Sequence, residues 1–251
     1  MTLTPDSKAE LRNRLQFYRE LGVGPLYRRA VERPAESSSI ELMDSANIIV
    51  EDDVMANSLA ASSGDRESLL RVILDDIGPN CTRCKLSRLG RKQIVFGTGD
   101  PHAELMFIGE GPGADEDEQG LPFVGRAGQL LNRMIQTIDM KRQEVYICNV
   151  VKCRPPGNRT PEKDEIETCS PFLFRQIETI QPRLICCLGA PAVRTVLGIK
   201  EGITRIHGQF YDFAHCKALA TVHPAYVLRN PREEKILRED FEKIREFLKR
   251  K

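Results

Sequence analysis

The alternation of short apolar runs with longer helical stretches, from residue 69 onward, is the feature that most constrains the fold. Short apolar runs that end in a glycine or a polar residue predict strands, whereas apolar side chains at three- and four-residue steps predict helices. The predicted strands cover residues 105–108, 145–150, 184–188 and 219–222, and the predicted helices cover residues 127–138, 161–180, 190–197 and 232–249. Strands that are apolar almost throughout indicate an α/β fold with a central, mostly parallel sheet flanked by helices on both faces.

Unusual clusters of residues follow three of the predicted strands. GEGPGADED follows the first strand, NVVKCRPPGN follows the second, and HPAYVLRNP follows the fourth. The second cluster leads into a predicted helix with Thr160 as its N-cap and Pro161 at its first position. Folds of this class bind ligands beyond the carboxyl ends of their strands. One site assembled from three strand ends is therefore predicted, and this indicates an enzyme.

The first 68 residues differ in composition from the rest. They contain eight basic and twelve acidic residues, whereas the remainder has a net charge of +5, which is compatible with nucleic-acid binding. Residues 34–65 contain seven acidic residues and no Lys or Arg, which indicates a flexible linker. Apolar residues recur at three- and four-residue steps over residues 7–30, which predicts a helix. This helix would either pack on the main domain or dock onto a protein partner. We therefore expect a helical segment at 1–33, a linker at 34–68 and the main domain at 69–251.

The sequence favours a location away from membranes. No apolar run approaches the ~20 residues that a membrane-spanning helix needs. The N-terminal sequence MTLTPDSKAELRNRL is charged throughout, unlike a signal peptide. We therefore expect a cytoplasmic monomer with no membrane partner. Cytoplasmic proteins seldom contain structural disulfides, so the eight cysteines of this chain indicate metal binding or burial.

Four of the eight cysteines are candidates for one metal site. Cys81 and Cys84 form a C-x2-C pair, Cys153 lies just after a predicted strand, and Cys169 lies about two turns into the next helix. Four thiolates without a nearby His suit either zinc or an iron–sulfur cluster, and the spacing alone does not decide between them. The remaining cysteines are not assigned to this site: Cys148, Cys186 and Cys187, which lie in apolar strands, and Cys216.

The segment from about Asn80 to Pro231 resembles the family 4 uracil-DNA glycosylases, the thermophile-type branch of that superfamily. The resemblance is carried, in this order, by GEGPGADED, PFVGRAGQLLNRMI, NVVKCRPPGNRTP and HPAYVLRNP. It implies a DNA-repair enzyme that flips uracil out of single- or double-stranded DNA and hydrolyses its N-glycosidic bond, which leaves an abasic site. It also implies a structural 4Fe-4S cluster with four thiolate ligands: Cys81, Cys84, Cys153 and Cys169.

The resemblance also implies which residues bind uracil. Phe123 would stack on the flipped base, and the carboxamide of Asn149 would recognise the uracil edge, since an amide offers both a donor and an acceptor. Gly111 and Gly113 would let the backbone approach the base closely. Glu116 would close the pocket near uracil C5, where the methyl group of thymine would clash.

The implied catalytic residues lie in the same motifs. Glu110 would position the attacking water or stabilise the cationic sugar. Many glycosylases of the wider superfamily have Asp where this chain has Gly111, so we expect Glu110, helped by Asn158, to fill that role. His223 would donate a hydrogen bond to uracil O2 in the transition state, an interaction worth about 3–4 kcal/mol for a single donor.

Residues of the second and fourth motif segments are candidate DNA contacts. Arg154, Arg159 and Arg229 would bind phosphates and make DNA binding depend on salt. Residues 226–229, which include Leu228, resemble a segment that wedges into the duplex and fills the vacated space.

Two alternatives remain open. The first is a sister-branch glycosylase that forms a covalent link to DNA or prefers another deaminated base. The covalent version would need a nucleophilic His on an insertion after the second strand, and NVVKCRPPGNRTP runs into the helix without one. The second is a non-catalytic, metal-clamped DNA-binding or redox module, for which the pocket residues would have no reason to converge.

Overall fold

The computed structural model describes residues 65–250. The helix predicted at residues 7–30 and nearly all of the acidic linker lie outside the described residues, so the division of the chain into three parts stays a prediction. The first described element is helix α1 (Asp65–Ile77), which begins within the last residues assigned to the linker. The elements that follow fall in one compact unit, Arg66–Lys251.

A six-stranded sheet in the order β1-β3-β2-β4-β6-β5 forms the centre of this unit. Its strands are β1 (Thr98–Gly99), β2 (Leu105–Gly109), β3 (Tyr146–Asn149), β4 (Leu184–Leu188), β5 (Phe210–Phe213) and β6 (Cys216–Thr221). The inner strands β3, β2, β4 and β6 are parallel, whereas β1 and β5 pair antiparallel at the two edges. The inner strands are buried almost throughout, so both of their faces are covered and the predicted α/β fold is confirmed.

Helices connect and cover the strands. They are α2 (Ala114–Gln119), α3 (Arg126–Thr137), α4 (Lys163–Ile180), α5 (Ala190–Leu197), α6 (Ile203–Ile206), α7 (Pro224–Arg229) and α8 (Glu234–Lys249). Apolar side chains of α3 and α8 pack into the main core, where the ring of Phe241 stacks on Phe107 with 5.5 Å between centroids. Over residues 65–250 no helix is both long enough and apolar enough to span a bilayer.

The predicted start of α4 was wrong. Its N-cap is Glu162, so neither Thr160 nor Pro161 has the position expected for it. The reason is the buried carboxylate of Glu165, which accepts a hydrogen bond of 2.7 Å from the main-chain N–H of Glu162. The same carboxylate binds both terminal nitrogens of Arg159, which draws the preceding residues out of the helix.

Two of the motif segments that follow strands contain short helices, which the sequence analysis did not predict. Helix α2 begins within GEGPGADED and ends two residues after it, and α7 lies within HPAYVLRNP, with His223 as its N-cap and Pro224 at its first position. The edge strands β1 and β5 were not predicted because they are short and partly exposed, so they lack the apolar runs of the inner strands. The last inner strand begins at Cys216, three residues before its predicted start.

Candidate active site

A cavity of about 330 Å³ opens beyond the carboxyl ends of β2 and β3. Its walls come from the segments that follow these two strands and β6, so the predicted convergence of three strand ends is confirmed. Its volume lies in the range of small-molecule sites. The lining includes most of the predicted site residues, namely Glu110, Gly111, Gly113, Glu116, Phe123, Asn149, Asn158, Arg159, His223 and Arg229.

Asn149 lies in the cavity wall at the end of β3, and only 1% of its surface is exposed. Neither the oxygen nor the nitrogen of its carboxamide has a hydrogen-bond partner within the described part of the chain. A buried polar group without a partner costs about 1–3 kcal/mol. The carboxamide is therefore available to a ligand that presents one donor and one acceptor side by side.

Gly109, the last residue of β2, makes room for this carboxamide. It pairs in register with Asn149 across the two parallel strands. A Cβ atom at position 109 would lie 2.4 Å from Oδ1 of Asn149 and 2.7 Å from the ring of Phe123. Glycine is therefore what lets the carboxamide and the aromatic ring approach each other at the strand end.

Phe123 forms a neighbouring wall in a strained main-chain conformation. Its φ is +52°, in the left-handed region that costs a residue other than glycine about 1–3 kcal/mol. Its carbonyl oxygen accepts a hydrogen bond of 3.1 Å from Arg142, which also donates to Asn132 at 2.8 Å. A Cβ atom at position 128 would lie 1.8 Å from the same carbonyl oxygen, so only glycine fits there. These contacts hold the ring 5.6 Å, centroid to centroid, from the imidazole of His223.

His223 is held in one tautomer at the start of α7. Its Nδ1 accepts a hydrogen bond of 3.1 Å from the main-chain N–H of Ala225, so the proton of the neutral ring lies on Nε2. Burial lowers the pKa of His223 to about 4, and the positive charge of Arg229 acts in the same direction. The imidazole is therefore neutral at physiological pH and presents an N–H donor.

Glu110 faces the cavity from the segment after β2. Burial raises the pKa of its carboxyl group, while a hydrogen bond from the Thr160 hydroxyl and the charge of Arg229 limit the rise. Thr160, which we had predicted as a helix cap, therefore serves the cavity instead. A carboxylate held in this way can orient a water molecule or accept a proton from it.

Glu116 braces two loops around the cavity. One of its carboxylate oxygens accepts hydrogen bonds from the main-chain N–H groups of Val124 at 2.9 Å and Gly125 at 3.0 Å. The other accepts a hydrogen bond of 3.0 Å from the N–H of Gly113. The side chain lines the cavity, and its charge ties the loop after β2 to the loop that carries Phe123.

The predicted DNA contacts have different surroundings. Arg154 donates a hydrogen bond of 2.7 Å to Oδ1 of Asn158, and only the exposed Asn158 lines the cavity. Arg229 is exposed at the end of α7 and also lines the cavity. Arg159 lines it too, but its guanidinium is bound by the carboxylate of Glu165 at 2.7 and 2.8 Å.

Leu228 lies outside the cavity lining. It is half-buried on α7 and packs against the main core rather than extending from a loop. Its partial exposure leaves part of the side chain available at the surface beside Arg229.

The thiols of the four predicted metal ligands lie near one another in the described structure. Burial is the main cause of the raised pKa values of Cys84, Cys153 and Cys169. Neighbouring thiols raise them further, since Cys81 acts on Cys84, and Cys153 and Cys84 act on Cys169. Charges on Cys81 and Cys84 likewise raise the pKa of Cys153, so the four thiols form one electrostatically connected group.

Hydrogen-bond donors point at these sulfur atoms. Arg91 donates to Sγ of Cys153 at 3.0 Å and to the main-chain carbonyl of Cys81 at 2.7 Å. The main-chain N–H of Lys152 donates to Sγ of Cys169 at 3.3 Å. Hydrogen bonds from N–H groups stabilise negative charge on sulfur, so the surroundings suit thiolate ligands.

The thiol group can be compared with the ligand sets of known metal centres. Within residues 65–250, no three His, Cys, Asp or Glu side chains are grouped tightly enough to hold one metal ion. A zinc site would need its sulfur ligands about 2.3 Å from one ion. A donor set made only of thiolates suits either zinc or an iron–sulfur cluster. The remaining four cysteines are buried, as expected for those in strands: Cys148, Cys186, Cys187 and Cys216.

Comparison with known proteins identifies the family. A sequence model of the uracil-DNA glycosylase superfamily matches residues 96–249. The type-4 uracil-DNA glycosylase of Thermotoga maritima is 44% identical over 189 residues, which cover 74% of this chain and 97% of that protein. The type-4 uracil-DNA glycosylase of Sulfurisphaera tokodaii is 48% identical over 178 residues, which cover 67% of this chain and 80% of that protein. The chain belongs to the type-4 uracil-DNA glycosylases.

Membership of type 4 agrees with the weaker similarity to a neighbouring branch. A type-5 uracil-DNA glycosylase of Pyrobaculum aerophilum is 32% identical over 144 residues, which cover 51% of this chain. The match to the superfamily as a whole begins at residue 96, after Cys81 and Cys84. Half of the thiol site of this type-4 glycosylase therefore lies outside the region that the superfamily match covers.

Sequence reasoning missed three residues that shape the cavity of this type-4 glycosylase. Gly109 was recognised only as the end of a strand, although a glycine beside two predicted site residues could have suggested a close approach. Thr160 was assigned to a helix cap. Arg142 lies in a short polar turn before β3 and belongs to none of the recognised motifs, so the sequence carried no signal for its contact with Phe123.

We expect the substitution Gly109→Ala to destabilise the protein by about 1–3 kcal/mol, because the new methyl group displaces the carboxamide of Asn149 and the ring of Phe123. Urea denaturation followed by circular dichroism measures the change. Gly202→Ala is the matched control, since its Cβ would meet only the Thr204 hydroxyl at 4.0 Å, and a loss of under about 1 kcal/mol is expected there. Equal stability losses in the two variants would contradict the close packing described for β2.

Proposed function

We propose that this type-4 glycosylase flips uracil out of DNA into the cavity and hydrolyses the N-glycosidic bond, which leaves an abasic site for base excision repair. The observation that carries the proposal is the unpaired, buried carboxamide of Asn149 beside the ring of Phe123. An extruded base needs a polar group that recognises its hydrogen-bonding edge and a surface on which its ring can stack. Asn149 and Phe123 supply these two features.

Recognition of uracil follows from the chemistry of the carboxamide. The amide oxygen of Asn149 accepts the N3–H of uracil, and its nitrogen donates to the adjacent carbonyl. Cytosine presents the opposite pattern and would leave the buried amide unpaired. The three main-chain hydrogen bonds of Glu116 fix the neighbouring wall, so that it cannot recede to admit the methyl group of thymine. Gly111 and Gly113 let the main chain of the loop contact the base.

The reaction requires charge stabilisation on both sides of the breaking bond. Water attacks C1′ of the deoxyribose, the C1′–N1 bond breaks, and the electron pair leaves on uracil. The Nε2–H of His223 donates to uracil O2 as negative charge accumulates there. Glu110 orients the water, accepts its proton and stabilises the cationic sugar, and Asn158 at the cavity rim helps to hold that water.

The DNA strand would cross the rim of the cavity. We assign Arg154 and Arg229 to phosphate contacts, and Arg159 to a further one that uses the donors not occupied by Glu165. The exposed part of Leu228 would enter the space that the base leaves. The substrate is uracil in single- or double-stranded DNA.

We also propose that Cys81, Cys84, Cys153 and Cys169 hold a 4Fe-4S cluster. When bound, the cluster would supply a structural cross-link between the segment before β1, the segment after β3 that carries Cys153, and helix α4, which carries Cys169. The all-thiol donor set and the hydrogen bonds to sulfur support thiolate ligation, and membership of the type-4 family supports an iron–sulfur cluster over zinc.

The remaining proposals rest on the sequence composition alone. The enzyme would act as a monomer in the cytoplasm, without a membrane partner. Residues 7–30 would pack on the main domain or bind a protein partner.

Two other functions are less well supported. A glycosylase that links covalently to DNA needs a nucleophile on an insertion after β3, yet the chain passes through one turn, Pro156–Asn158, directly towards α4. A non-catalytic DNA-binding or redox module would not need a buried carboxamide without a partner. A glycosylase that acts only on another deaminated base would release no uracil in the assay below.

The first test is release of uracil from a labelled oligonucleotide, measured as strand scission after alkaline treatment. We expect His223→Ala to reduce kcat by about 10²–10³-fold, since it removes a donor to the developing anion. Asn149→Ala should lower kcat/KM by a similar factor. Lys235→Ala, on the exposed side of α8, is the control and should retain full activity. Rapid strand scission by both cavity variants, or no scission by the unaltered protein, would contradict the proposed function.

The second test is the pH dependence of kcat/KM. Glu110 must be ionised and His223 neutral, so activity is present above the raised pKa of Glu110 and is lost as the pH falls through it. A second loss of activity begins as the pH approaches about 4, where His223 gains a proton. The variant Glu110→Gln should be slow at every pH and should lack the first loss. An unchanged acid limb in that variant would show that another group controls the rate.

The third test concerns the thiol site. The purified protein is expected to contain about four iron atoms per chain and to be brown, with absorption in the visible region. Cys153→Ser and Cys169→Ser should lose most of the iron, whereas the control Cys216→Ser should keep it. A colourless protein that contains one zinc ion would contradict the cluster.

A further inference from the structure

Lys152 is a fully buried lysine between the thiol site and the cavity, and the mechanism above does not use it. Its exposed fraction is 0%, and none of the ion pairs found within residues 65–250 includes it. Its ammonium group donates to the main-chain carbonyl of Asn149 at 2.8 Å and to Oε1 of Gln176 at 2.6 Å. A buried charge is costly unless it is well paired, so this placement requires an explanation.

The main-chain carbonyl that Lys152 binds belongs to Asn149, the residue that we propose reads the base. The carboxamide of Asn149 forms no hydrogen bond within the described residues, so its direction depends on the main chain that carries it. Strand pairing with Gly109 restrains one side of that main chain. The hydrogen bond from Lys152 restrains the carbonyl just before the chain leaves β3. Lys152 therefore helps to determine where the carboxamide points.

The other contacts of Lys152 lead to helix α4. Its main-chain N–H donates to Sγ of Cys169, and its ammonium donates to Gln176, which is seven residues further along. Residues seven apart lie two turns apart on one face of a helix. Gln176 is itself fixed by donating to the carbonyl of Phe96 at 3.1 Å and to the hydroxyl of Tyr146 at 3.2 Å. One face of α4 thus holds Lys152 at both its main chain and its side chain.

We propose that Lys152 is a positioning residue that links the thiol site to uracil recognition. A shift of Cys169 moves the main chain of Lys152, and the ammonium group carries that shift to the carbonyl of Asn149. Because the same contacts connect the two sites, we expect binding of uracil at the carboxamide to disturb the surroundings of Cys169 in turn. The inference rests on the proposed function, because it takes Asn149 as the reader of the base.

Equilibrium binding separates this role from a general effect on stability. The probes are two fluorescein-labelled duplexes, one with 2′-fluoro-2′-deoxyuridine, which resists hydrolysis, and one with a tetrahydrofuran abasic site. Lys152→Met keeps the volume of the side chain and removes its donors. We expect it to weaken binding of the uracil probe roughly tenfold, the effect of losing one charged hydrogen bond. Binding of the abasic probe, which gives Asn149 no base to read, should change less than about twofold.

Two further variants complete the binding experiment. Lys217→Met removes an equal charge from a partly exposed ion pair with Asp212 and should leave both affinities unchanged. Gln176→Leu removes the second anchor of Lys152 and should weaken binding of the uracil probe alone. The double variant with Lys152→Met should lose less than the product of the single losses. Equal losses for both probes, or none for the uracil probe, would overturn the proposal.

A spectroscopic measurement on the iron-loaded protein tests the link in the reverse direction. Addition of the uracil probe is expected to change the visible circular dichroism of the thiolate-held centre, and addition of the abasic probe is not. The change should be absent in Lys152→Met at saturating probe and equal iron content. A spectrum that responds equally in both proteins would show that the link does not pass through Lys152. Failure of the proposed function has a different signature, since the unaltered protein would then show no preference for the uracil probe over a matching thymine duplex.

Discussion

The close approach of β2 and β3 at their carboxyl ends is the constraint on which the site depends. In-register parallel pairing places Gly109 opposite Asn149, and the missing side chain at position 109 leaves space that the carboxamide and the ring of Phe123 share. Any larger residue would separate these two groups. The cavity therefore arises from the sheet itself, and the loops complete it.

Several energetically unfavourable features are concentrated around this point. Asn149 has a buried amide without a partner, Phe123 has a left-handed main chain, and Lys152 is a buried cation. Each is held by its neighbours: Arg142 binds the carbonyl of Phe123, and Gln176 binds the ammonium of Lys152. Features of this kind persist where a preformed site requires them, and these three lie in or next to the segments that form the cavity.

The inner sheet and the position of the cavity could be predicted from the sequence because they depend on local signals. Continuous apolar runs marked the buried strands, and polar motifs followed directly after them. The start of α4 could not be predicted, since it depends on Glu165 binding both Arg159 and the main chain of Glu162. The contacts of Arg142 and Lys152 depend on residues distant in sequence or on burial of a charge, and neither leaves a periodic pattern. The roles of the individual site residues came from the family resemblance, and the thiol spacing alone had left zinc and iron open.

The three hydrogen bonds that main-chain N–H groups donate to Glu116 have a consequence for the order in which the enzyme processes damaged bases. Because the receiving wall is already rigid, little reorganisation of the protein accompanies entry of a base. The energetic barrier then falls on the nucleic acid, which must unstack and unpair the nucleotide. Lesions opposite guanine leave the helix more readily than those paired with adenine, so cytosine deamination products would be processed ahead of misincorporated residues without any contact to the opposite strand.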